Sequence, residues 1–293
     1  MLNKLISNFQ RLLTTPGMLP AYANWQFNKR ILKKLPSVSC SPTTKVTGWL
    51  NFSEYWSFRN GIPTPERLFI LDCIKQSPGE RSQEKKVTFD VGANIGLFTV
   101  MLAGLDNIEV HAFEPIGSTF ERLSSNVTFN HFSSNVYLNL TAVGSEQGNV
   151  EFDTYADSPA INRLSNTSLV TSQSTAPIRQ KVTVITLDGY CQEKGIEQID
   201  FLKIDVEGME AQVLQGAKKM LKAQKVSGIL IEICPNNLKV TGNSVELLHS
   251  TILESGYLPY KLSPHGLPNQ LLDISDLKQI VLENVVLVAS PPG

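Results

Sequence analysis

The chain has 293 residues, of which 42% are hydrophobic and 18% are charged. This composition is that of an ordinary globular protein and excludes disordered, collagen-like and coiled-coil chains. The 26 Lys and Arg residues nearly balance the 27 Asp and Glu residues, so the chain lacks the basic excess expected of a nucleic-acid-binding protein.

The N-terminal part of the chain is basic. The first 53 residues carry seven Lys or Arg and no acidic residue, which leaves 19 basic against 27 acidic residues in the rest. Apolar residues recur at helical spacing from Leu2 to Leu13, and this predicts a short amphipathic helix. Its apolar face either packs on the domain or binds an anionic membrane surface, and a transit peptide is a third interpretation. We expect residues 1–60 to form a basic helical arm and residues 61–293 to form the main domain.

From residue 64 onward, the pattern alternates between helices and strands. Thr64 followed by Pro65 predicts a helix start, and the helix extends to about Ile74. Short runs rich in β-branched residues then alternate with longer helical patterns, which is typical of βαβ units on a parallel sheet. The predicted strands are 87–91, 109–113, 136–143, 150–155, 181–187, 201–205, 228–234, 257–262 and 279–289, with helices over 96–105, up to about 130, and over 207–221.

A glycine-bearing turn, FDVGANIG at residues 89–96, follows the first of these strands. Glycine lets the backbone approach a ligand closely, and the helix that follows offers unpaired N–H groups. Asn94 stands where the G-x-G-x-x-G dinucleotide fingerprint needs its second glycine. Asp90 ends the strand with a charge that would repel a pyrophosphate and attract a cationic ligand such as S-adenosylmethionine. By itself, the turn could equally serve only tight packing.

Glu114 ends the next strand, in the segment HAFEP, 18 residues after Gly96. An acidic residue at this place in an α/β sheet typically accepts hydrogen bonds from the two hydroxyls of a ribose. The alternative is a surface carboxylate that merely ends a strand. Because Glu114 follows Asp90 and the glycine turn, we favour ribose binding.

A third group of carboxylates follows the strand in DFLKIDVEGME, residues 200–210. Asp205 and Glu207 are expected to face the same crevice as Asp90 and Glu114, since ligands bind beyond the carboxyl ends of parallel strands. A carboxylate there could orient an alcohol or remove its proton. Alternatively, acids such as Glu207 simply stabilise a helix N-terminus.

Several further polar residues have open roles. Lys203 could pair with one of these acids, and Glu232, on an apolar strand, either supports the site or pairs with Lys203. Asp205, Glu207 and Glu232 could bind magnesium, but nothing in the sequence shows that they converge, so no metal site is predicted. His111 is expected in the core, whereas His265 lies in a loop that could reach the site.

With these segments identified, the sequence resembles the FkbM family of S-adenosylmethionine-dependent methyltransferases. The matching motifs are DVGANIG at 90–96, FEP at 113–115, AVG at 142–144, TLDGY at 186–190, KIDVEGME at 203–210 and ILIEI at 229–233. The resemblance implies an α/β class I methyltransferase (Rossmann-like) fold with a seven-stranded, mostly parallel sheet whose last strand is antiparallel. The residues that it implies for cofactor binding are Asp90, Gly92, Ala93, Asn94, Gly96, Glu114, Pro115 and Ala142, with Ala142 near the adenine. Asp205 and Glu207 are expected to position or deprotonate the acceptor.

The resemblance also implies the reaction, an O-methylation by S-adenosylmethionine of a hydroxyl on a sugar, glycan or natural product. Residues 157–178, a polar loop, are expected to close over this small-molecule or glycan acceptor. One alternative is a nicotinamide-dependent oxidoreductase with a Rossmann fold. The other is a non-catalytic scaffold that binds the cofactor and is held at a membrane surface by the basic arm. The sequence gives no oligomeric state.

The cysteines and the hydropathy predict a cytoplasmic protein, peripheral to a membrane if the basic arm binds one. Four cysteines are far apart and form no C-x-x-C pair, which argues against a zinc site and a disulfide framework. No run approaches the roughly 18 apolar residues of a membrane span, and the N-terminus lacks the apolar core of a secretory signal.

Overall fold

A computed structural model describes residues 15–30, 37–48, 55, 59–76, 85–154, 163–164 and 178–290. The helices in chain order are α1 (Met18–Arg30), α2 (Thr64–Gln76), α3 (Leu97–Ala103), α4 (Gly117–Phe129), α5 (Leu187–Lys194), α6 (Glu210–Gly216), α7 (Lys218–Lys222), α8 (Pro235–Val240), α9 (Val245–Glu254) and α10 (Ile274–Gln279). The strands are β1 (Val38–Ser39), β2 (Lys45–Val46), β3 (Lys86–Val91), β4 (Ile108–Phe113), β5 (Val136–Asn139), β6 (Ala142–Val143), β7 (Gly148–Thr154), β8 (Arg163–Leu164), β9 (Ile178–Ile185), β10 (Phe201–Ile204), β11 (Ile229–Ile233), β12 (Tyr257–Leu262), β13 (Pro268–Leu271) and β14 (Glu283–Ala289).

The central sheet is mostly parallel and has the strand order β5-β4-β3-β10-β11-β14-β12-β13. The five strands from β5 to β11 pair in parallel, whereas β14 is antiparallel to both of its neighbours. The prediction of seven strands was wrong, because the described chain forms eight in this sheet. The additional strand is β13, which forms because the Ser263 N–H donates to the Leu267 carbonyl (2.9 Å) and reverses the chain. Its first residue is Pro268, which an edge strand tolerates.

The centre of the sheet is covered on both faces. All four residues of β10 are buried, as expected of a parallel strand that reads as a continuous apolar run. On one face, Leu202 and Ile204 pack with apolar residues of α5, α6 and α9. On the other face, Phe201 and Leu230 pack with apolar residues of α2, α3 and α4. Lys203 alternates with Leu202 and Ile204, so its side chain lies on the second face of the sheet.

A smaller sheet, with the order β6-β9-β7-β8, lies outside the central one. The prediction of one strand over residues 136–143 was wrong, because the chain changes sheets after Asn139. The Asn139 side chain donates to the Ala112 carbonyl (3.1 Å) at the end of β5, and the Thr141 hydroxyl then donates to the Thr183 carbonyl (2.7 Å) of β9. Ala142 therefore pairs with Val184 of the smaller sheet.

Three predicted boundaries differ from the structure because side chains cap helices there. The strand predicted over 181–187 ends at Ile185, since the Thr186 hydroxyl accepts from the Gly189 N–H (3.1 Å) and starts α5. The helix predicted over 207–221 is divided into α6 and α7, because the Asp188 carboxylate accepts the N–H groups at the start of α7. The strand predicted over 279–289 begins only at Glu283, because α10, which has Asp273 as its N-cap, extends to Gln279.

The amphipathic helix predicted near the N-terminus lies outside the described residues. The described residues 37–48 pack on the domain, since the side chains of Asn126 in α4 and of Asn130, which follows α4, accept from the N–H groups of Thr47 and Lys45 (3.0 Å each). The domain boundary after residue 60 stays a prediction. Most of the loop 157–178 also lies outside the described residues, and of that loop β8 pairs with β7. Within the described ranges, no helix has the length and apolar character needed to cross a membrane.

Candidate functional site

A cavity of about 1070 Å³ lies beyond the carboxyl ends of β3, β4, β10 and β11. This is where α/β sheets bind ligands, because the loops and helix N-termini after parallel strands converge there. The predicted site residues that line the cavity are Gly92, Asn94, Glu114, Pro115, Ala142, Asp205 and Glu207. Asp90, Ala93 and Gly96 are not among the lining residues, and their expected contact with a cofactor stays a prediction.

The glycine turn is held between two neighbouring strand ends. The N–H groups of Gly92 and Ala93 both donate to the Phe113 carbonyl (3.0 and 2.9 Å). Gly92 has a φ of 81°, and a Cβ atom at this position would lie 1.8 Å from the Asp205 carbonyl oxygen. Only glycine allows both this conformation and this contact. Gly92 therefore fixes the distance between the turn and the loop that carries Asp205.

Glu114 is held rigidly at the edge of the cavity. One carboxylate oxygen accepts from the Asn94 N–H and the other from the Ile116 N–H, both at 3.0 Å. The side chain is only 6% exposed, and burial raises the pKa of Glu114 to about 7. Each carboxylate oxygen keeps a second lone pair, so Glu114 can still accept hydrogen bonds from two ligand hydroxyls.

Asp90 lies beneath the cavity wall and supports Lys203. The Thr99 hydroxyl donates to Asp90 (2.6 Å), and burial raises the pKa of Asp90. Lys203 pairs with Asp90 in the β3–β10 register, and its Nζ lies 3.0 Å from Asp205 Oδ2. Burial alone would lower the pKa of Lys203, but the charges of Asp205, Asp90 and Glu232 raise it. Lys203 is thus a buried cation that holds Asp205 in place.

Asp205 and Glu232 come together, and Glu207 lies nearer to solvent. Asp205 and Glu232 directly follow paired residues of β10 and β11, and burial together with the Asp205 charge raises the pKa of Glu232 to about 8. Glu207 has a φ of 54° and an exposed side chain, and its carboxylate accepts from the Asn237 amide at 2.5 Å. Lys203 therefore pairs directly with Asp205. Glu232, for which the sequence left two roles open, lines the cavity beside them.

Three lining side chains that sequence reasoning missed each have a buried polar atom without a hydrogen-bond partner. These atoms are Thr119 Oγ1, Gln212 Oε1 and Asn284 Oδ1. Thr119 is 4% exposed and lies in the first turn of α4, shortly after Glu114. Its position shortly after Glu114 was the one sequence feature that could have indicated Thr119 as a site residue. Buried polar atoms without a protein partner commonly mark where a ligand binds.

The two histidines that the sequence singled out, His111 and His265, do not line the cavity. His111 is buried in β4, as predicted, between the Tyr190 hydroxyl (2.8 Å) and the Glu109 carboxylate (3.0 Å). His265 is exposed and does not line the cavity. Across the segments that the structure describes, no three His, Cys, Asp or Glu side chains are grouped so that they could hold a metal ion.

Comparison with known proteins identifies the family. Residues 90–259, more than half of the chain, match the profile of the methyltransferase FkbM domain. The chain belongs to the FkbM methyltransferase family. The matched range begins at Asp90 and includes the glycine turn, Glu114, Lys203, Asp205 and Glu232, so the FkbM domain contains the main charged residues of the cavity.

Individual FkbM relatives match over a shorter range. The hexuronic acid methyltransferase AglP of Haloferax volcanii is 29% identical, over 53% of this chain and 58% of AglP. The 31-O-demethyl-FK506 methyltransferase FkbM of Streptomyces tacrolimicus is also 29% identical, over 52% of this chain and 65% of that protein. Each alignment thus leaves more than a third of the relative unmatched. Among solved structures, the METTL16 methyltransferase domain superposes with a TM-score of 0.45 at 11% identity, over 95% of this chain and 81% of that one.

Proposed function

We propose that this protein transfers the methyl group of S-adenosylmethionine to a hydroxyl oxygen of a sugar, glycan or natural product. The observation that carries the proposal is one cavity that holds Glu114 beside the glycine turn and the Asp205–Glu232 pair. Membership of the FkbM family supports methyl transfer. The names of the two relatives, one acting on a hexuronic acid and one on an O-demethyl natural product, support a hydroxyl acceptor.

The residues of the cavity fit S-adenosylmethionine chemically. The cofactor carries a sulfonium and an ammonium group, and the cavity is lined by the carboxylates of Glu114, Asp205, Glu207 and Glu232. Glu114 is suited to the ribose hydroxyls, as argued above. The apolar side chains of Pro115 and Ala142 line the cavity and are suited to an adenine ring. A cavity of about 1070 Å³ has room for the cofactor together with part of an acceptor.

The chain's own residues would align the acceptor and manage its proton. When bound, S-adenosylmethionine would supply an electrophilic methyl group together with a sulfur leaving group that takes the electron pair of the broken S–C bond. Asp205 and Glu207 are placed to orient the hydroxyl, and the carboxylates around them can take up its proton. Holding the hydroxyl in line removes much of the entropic barrier.

The two alternatives predict different results. A nicotinamide-dependent oxidoreductase is disfavoured by Asn94 in place of the second fingerprint glycine and by the family match. To test methyl transfer, the protein is incubated with S-adenosylmethionine and a panel of hexuronic acid glycosides, neutral glycosides and macrolide alcohols. We expect S-adenosylhomocysteine to form with at least one class and not without an acceptor. Cofactor binding without turnover on any hydroxyl compound would favour the non-catalytic scaffold.

A pair of threonines separates a structural from a binding role. Thr99→Val removes a hydrogen bond to the buried Asp90, so we expect the free energy of unfolding to fall by about 1.5–3 kcal/mol. Thr119→Val removes a hydroxyl that has no protein partner, so its stability should change by less than about 0.5 kcal/mol. If Thr119 binds the cofactor, this variant weakens S-adenosylhomocysteine binding instead. Urea denaturation and calorimetry measure the two effects, and a large stability loss in Thr119→Val would contradict this assignment.

We also propose peripheral membrane contact through the basic arm. In the described part of this arm, α1 exposes about half of Leu19 and Phe27 and ends in Lys29 and Arg30. Apolar and basic side chains together favour an anionic lipid surface. We expect the full chain to co-sediment with vesicles that contain phosphatidylserine, and deletion of residues 1–15 to reduce this fraction. Equal sedimentation of both forms would show that residues 1–15 do not bind the membrane. The cytoplasmic location stays a prediction.

A further inference from the structure

We propose that Glu232 is the catalytic proton acceptor of this site, that Asp205 is the neighbouring carboxylate that favours its protonated form, and that Lys203 is the positioning residue for Asp205. The proposal rests on the methyl transfer proposed above and identifies the group that receives the hydroxyl proton. The sequence left the role of Glu232 open between supporting the site and pairing with Lys203.

The sheet register brings the three side chains together. Lys203 and Ile204 of β10 pair in parallel with Leu230 and Ile231 of β11, so Asp205 and Glu232 are the next residues along each strand. Both carboxylates line the cavity, and Lys203 also reaches it beneath the ring of Phe98 (Nζ to centroid 4.9 Å). A proton acceptor at this place is therefore open to a ligand in the cavity.

Asp205 is already committed to Lys203. Its Oδ2 lies 3.0 Å from Lys203 Nζ, and Lys203 is only 2% exposed. A buried ammonium has to keep a carboxylate partner, because an unpaired charge in the protein interior is costly. Asp205 therefore has one oxygen engaged by Lys203 and a fixed orientation, which makes it a poor site for the incoming proton.

Glu207 is suited to positioning rather than to proton transfer. Its side chain is exposed, and its carboxylate accepts a hydrogen bond from the Asn237 amide of α8. The contact with α8 sets the orientation of this carboxylate, which suits it to orienting an acceptor hydroxyl.

Glu232 has the opposite surroundings. Burial and the neighbouring Asp205 charge raise the pKa of Glu232 to about 8, so Glu232 takes up a proton more readily than an ordinary carboxylate. The charges of Asp205 and Glu207 favour this protonated form and that of Lys203 opposes it. From β14, Asn284 pairs with Glu232 in the register, and the Asn284 amide donates to Glu66 of α2 (3.3 Å). The ionised form of Glu232 then receives the hydroxyl proton as the acceptor oxygen forms its bond to the methyl carbon.

Asn284 adds an independent sign that a ligand binds beside Glu232. Its Oδ1 atom is buried, has no hydrogen-bond partner and belongs to a side chain that lines the cavity. An unpaired amide oxygen beside a proton acceptor fits a molecule that presents one hydroxyl to Glu232 and donates from a second. The acceptor class is therefore a polyhydroxyl compound with neighbouring hydroxyls.

The test compares two cofactor analogues in calorimetric titrations. S-adenosylhomocysteine lacks the transferred methyl group, and sinefungin carries a primary amine in the corresponding region. Both analogues contain the same adenosine group, so its contribution to affinity, including that of Glu114, cancels in the ratio of their dissociation constants. An amine binds an ionised carboxylate more tightly than a neutral one. We therefore expect the preference for sinefungin to rise by about tenfold between about pH 6.5 and 8.5 in the wild-type protein.

Single substitutions identify the carboxylate whose titration makes the preference for sinefungin rise with pH. Glu232→Gln should bind S-adenosylhomocysteine normally but show no rise with pH, and Glu254→Gln, a surface control, should keep the rise. Asp205→Asn removes a negative neighbour, so the rise should move to lower pH, and this variant tests the pair if Glu232→Gln does not fold. A rise that persists in Glu232→Gln or disappears in Glu207→Gln would overturn the proposal. If the folded wild-type protein binds neither analogue, the proposed function itself fails.

Discussion

Replacing Glu114 by glutamine is expected to weaken S-adenosylhomocysteine binding by about tenfold to a hundredfold, because hydrogen bonds to a charged group contribute about 1.5–3 kcal/mol. Both oxygens of Glu114 are held by backbone N–H groups, of Asn94 and Ile116. In glutamine, one of these oxygens becomes an NH₂ group that points at an N–H donor. The variant therefore loses an acceptor for the ribose and disturbs the turn as well.

The pH dependence gives this prediction a second, independent readout. The pKa of Glu114 is raised to about 7 by burial, and the charged form is the better acceptor for two hydroxyls. Affinity for S-adenosylhomocysteine should therefore rise as the pH increases from about 6 to 8, and the Glu114→Gln variant should lose this rise. Glu121→Gln, on the exposed side of α4, is the matched control and should behave as the wild type. Wild-type affinity in Glu114→Gln would exclude Glu114 from the binding site.

Gly92→Ala is expected to have the largest effect on stability. A Cβ atom there would lie 1.8 Å from the Asp205 carbonyl oxygen, a distance that requires the backbone to move. The φ of 81° adds the strain that any L side chain meets in the left-handed region. We expect the free energy of unfolding to fall by more than about 3 kcal/mol, with loss of cofactor binding, because the movement displaces Asp205.

Gly195→Ala separates the two contributions to this loss. Gly195 also has a positive φ, of 67°, but a Cβ atom there meets nothing within 4 Å. This control should cost only the conformational strain, about 1–2 kcal/mol. Chemical denaturation of both variants measures the difference. If Gly92→Ala is no less stable than Gly195→Ala, the turn and the Asp205 loop are not in the close contact described.

Local patterns were enough to predict the mostly parallel α/β fold, and most of the predicted site residues line one cavity. The strands β10 and β11 read as apolar runs because both faces are covered, and the turn at Gly92 is visible because its glycines stand at fixed places. Glu114 was found because it ends the strand that follows this turn. These features depend on residues close together in the chain, which is why the sequence indicates them.

Contacts between distant residues were not predictable in the same way. The change of sheet after Asn139 depends on a hydrogen bond from Thr141 to Thr183, 42 residues away. The position of Glu232 beside Asp205 depends on the register of β10 with β11, two strands whose residues here are 27 positions apart in the chain. Thr119 and Asn284 stand out only because their oxygen atoms have no partner in the folded chain.

The central claim is that the cavity at the carboxyl edge of the sheet binds S-adenosylmethionine. The most direct measurement is calorimetric titration of the purified full chain with S-adenosylmethionine, S-adenosylhomocysteine and NADH in parallel, with Asp90→Ala and Glu114→Ala as companions. We expect both adenosyl compounds to bind at one site per chain, NADH not to bind, and Glu114→Ala to lose binding. Binding of NADH alone, or of none of the three by a folded protein, would contradict the account.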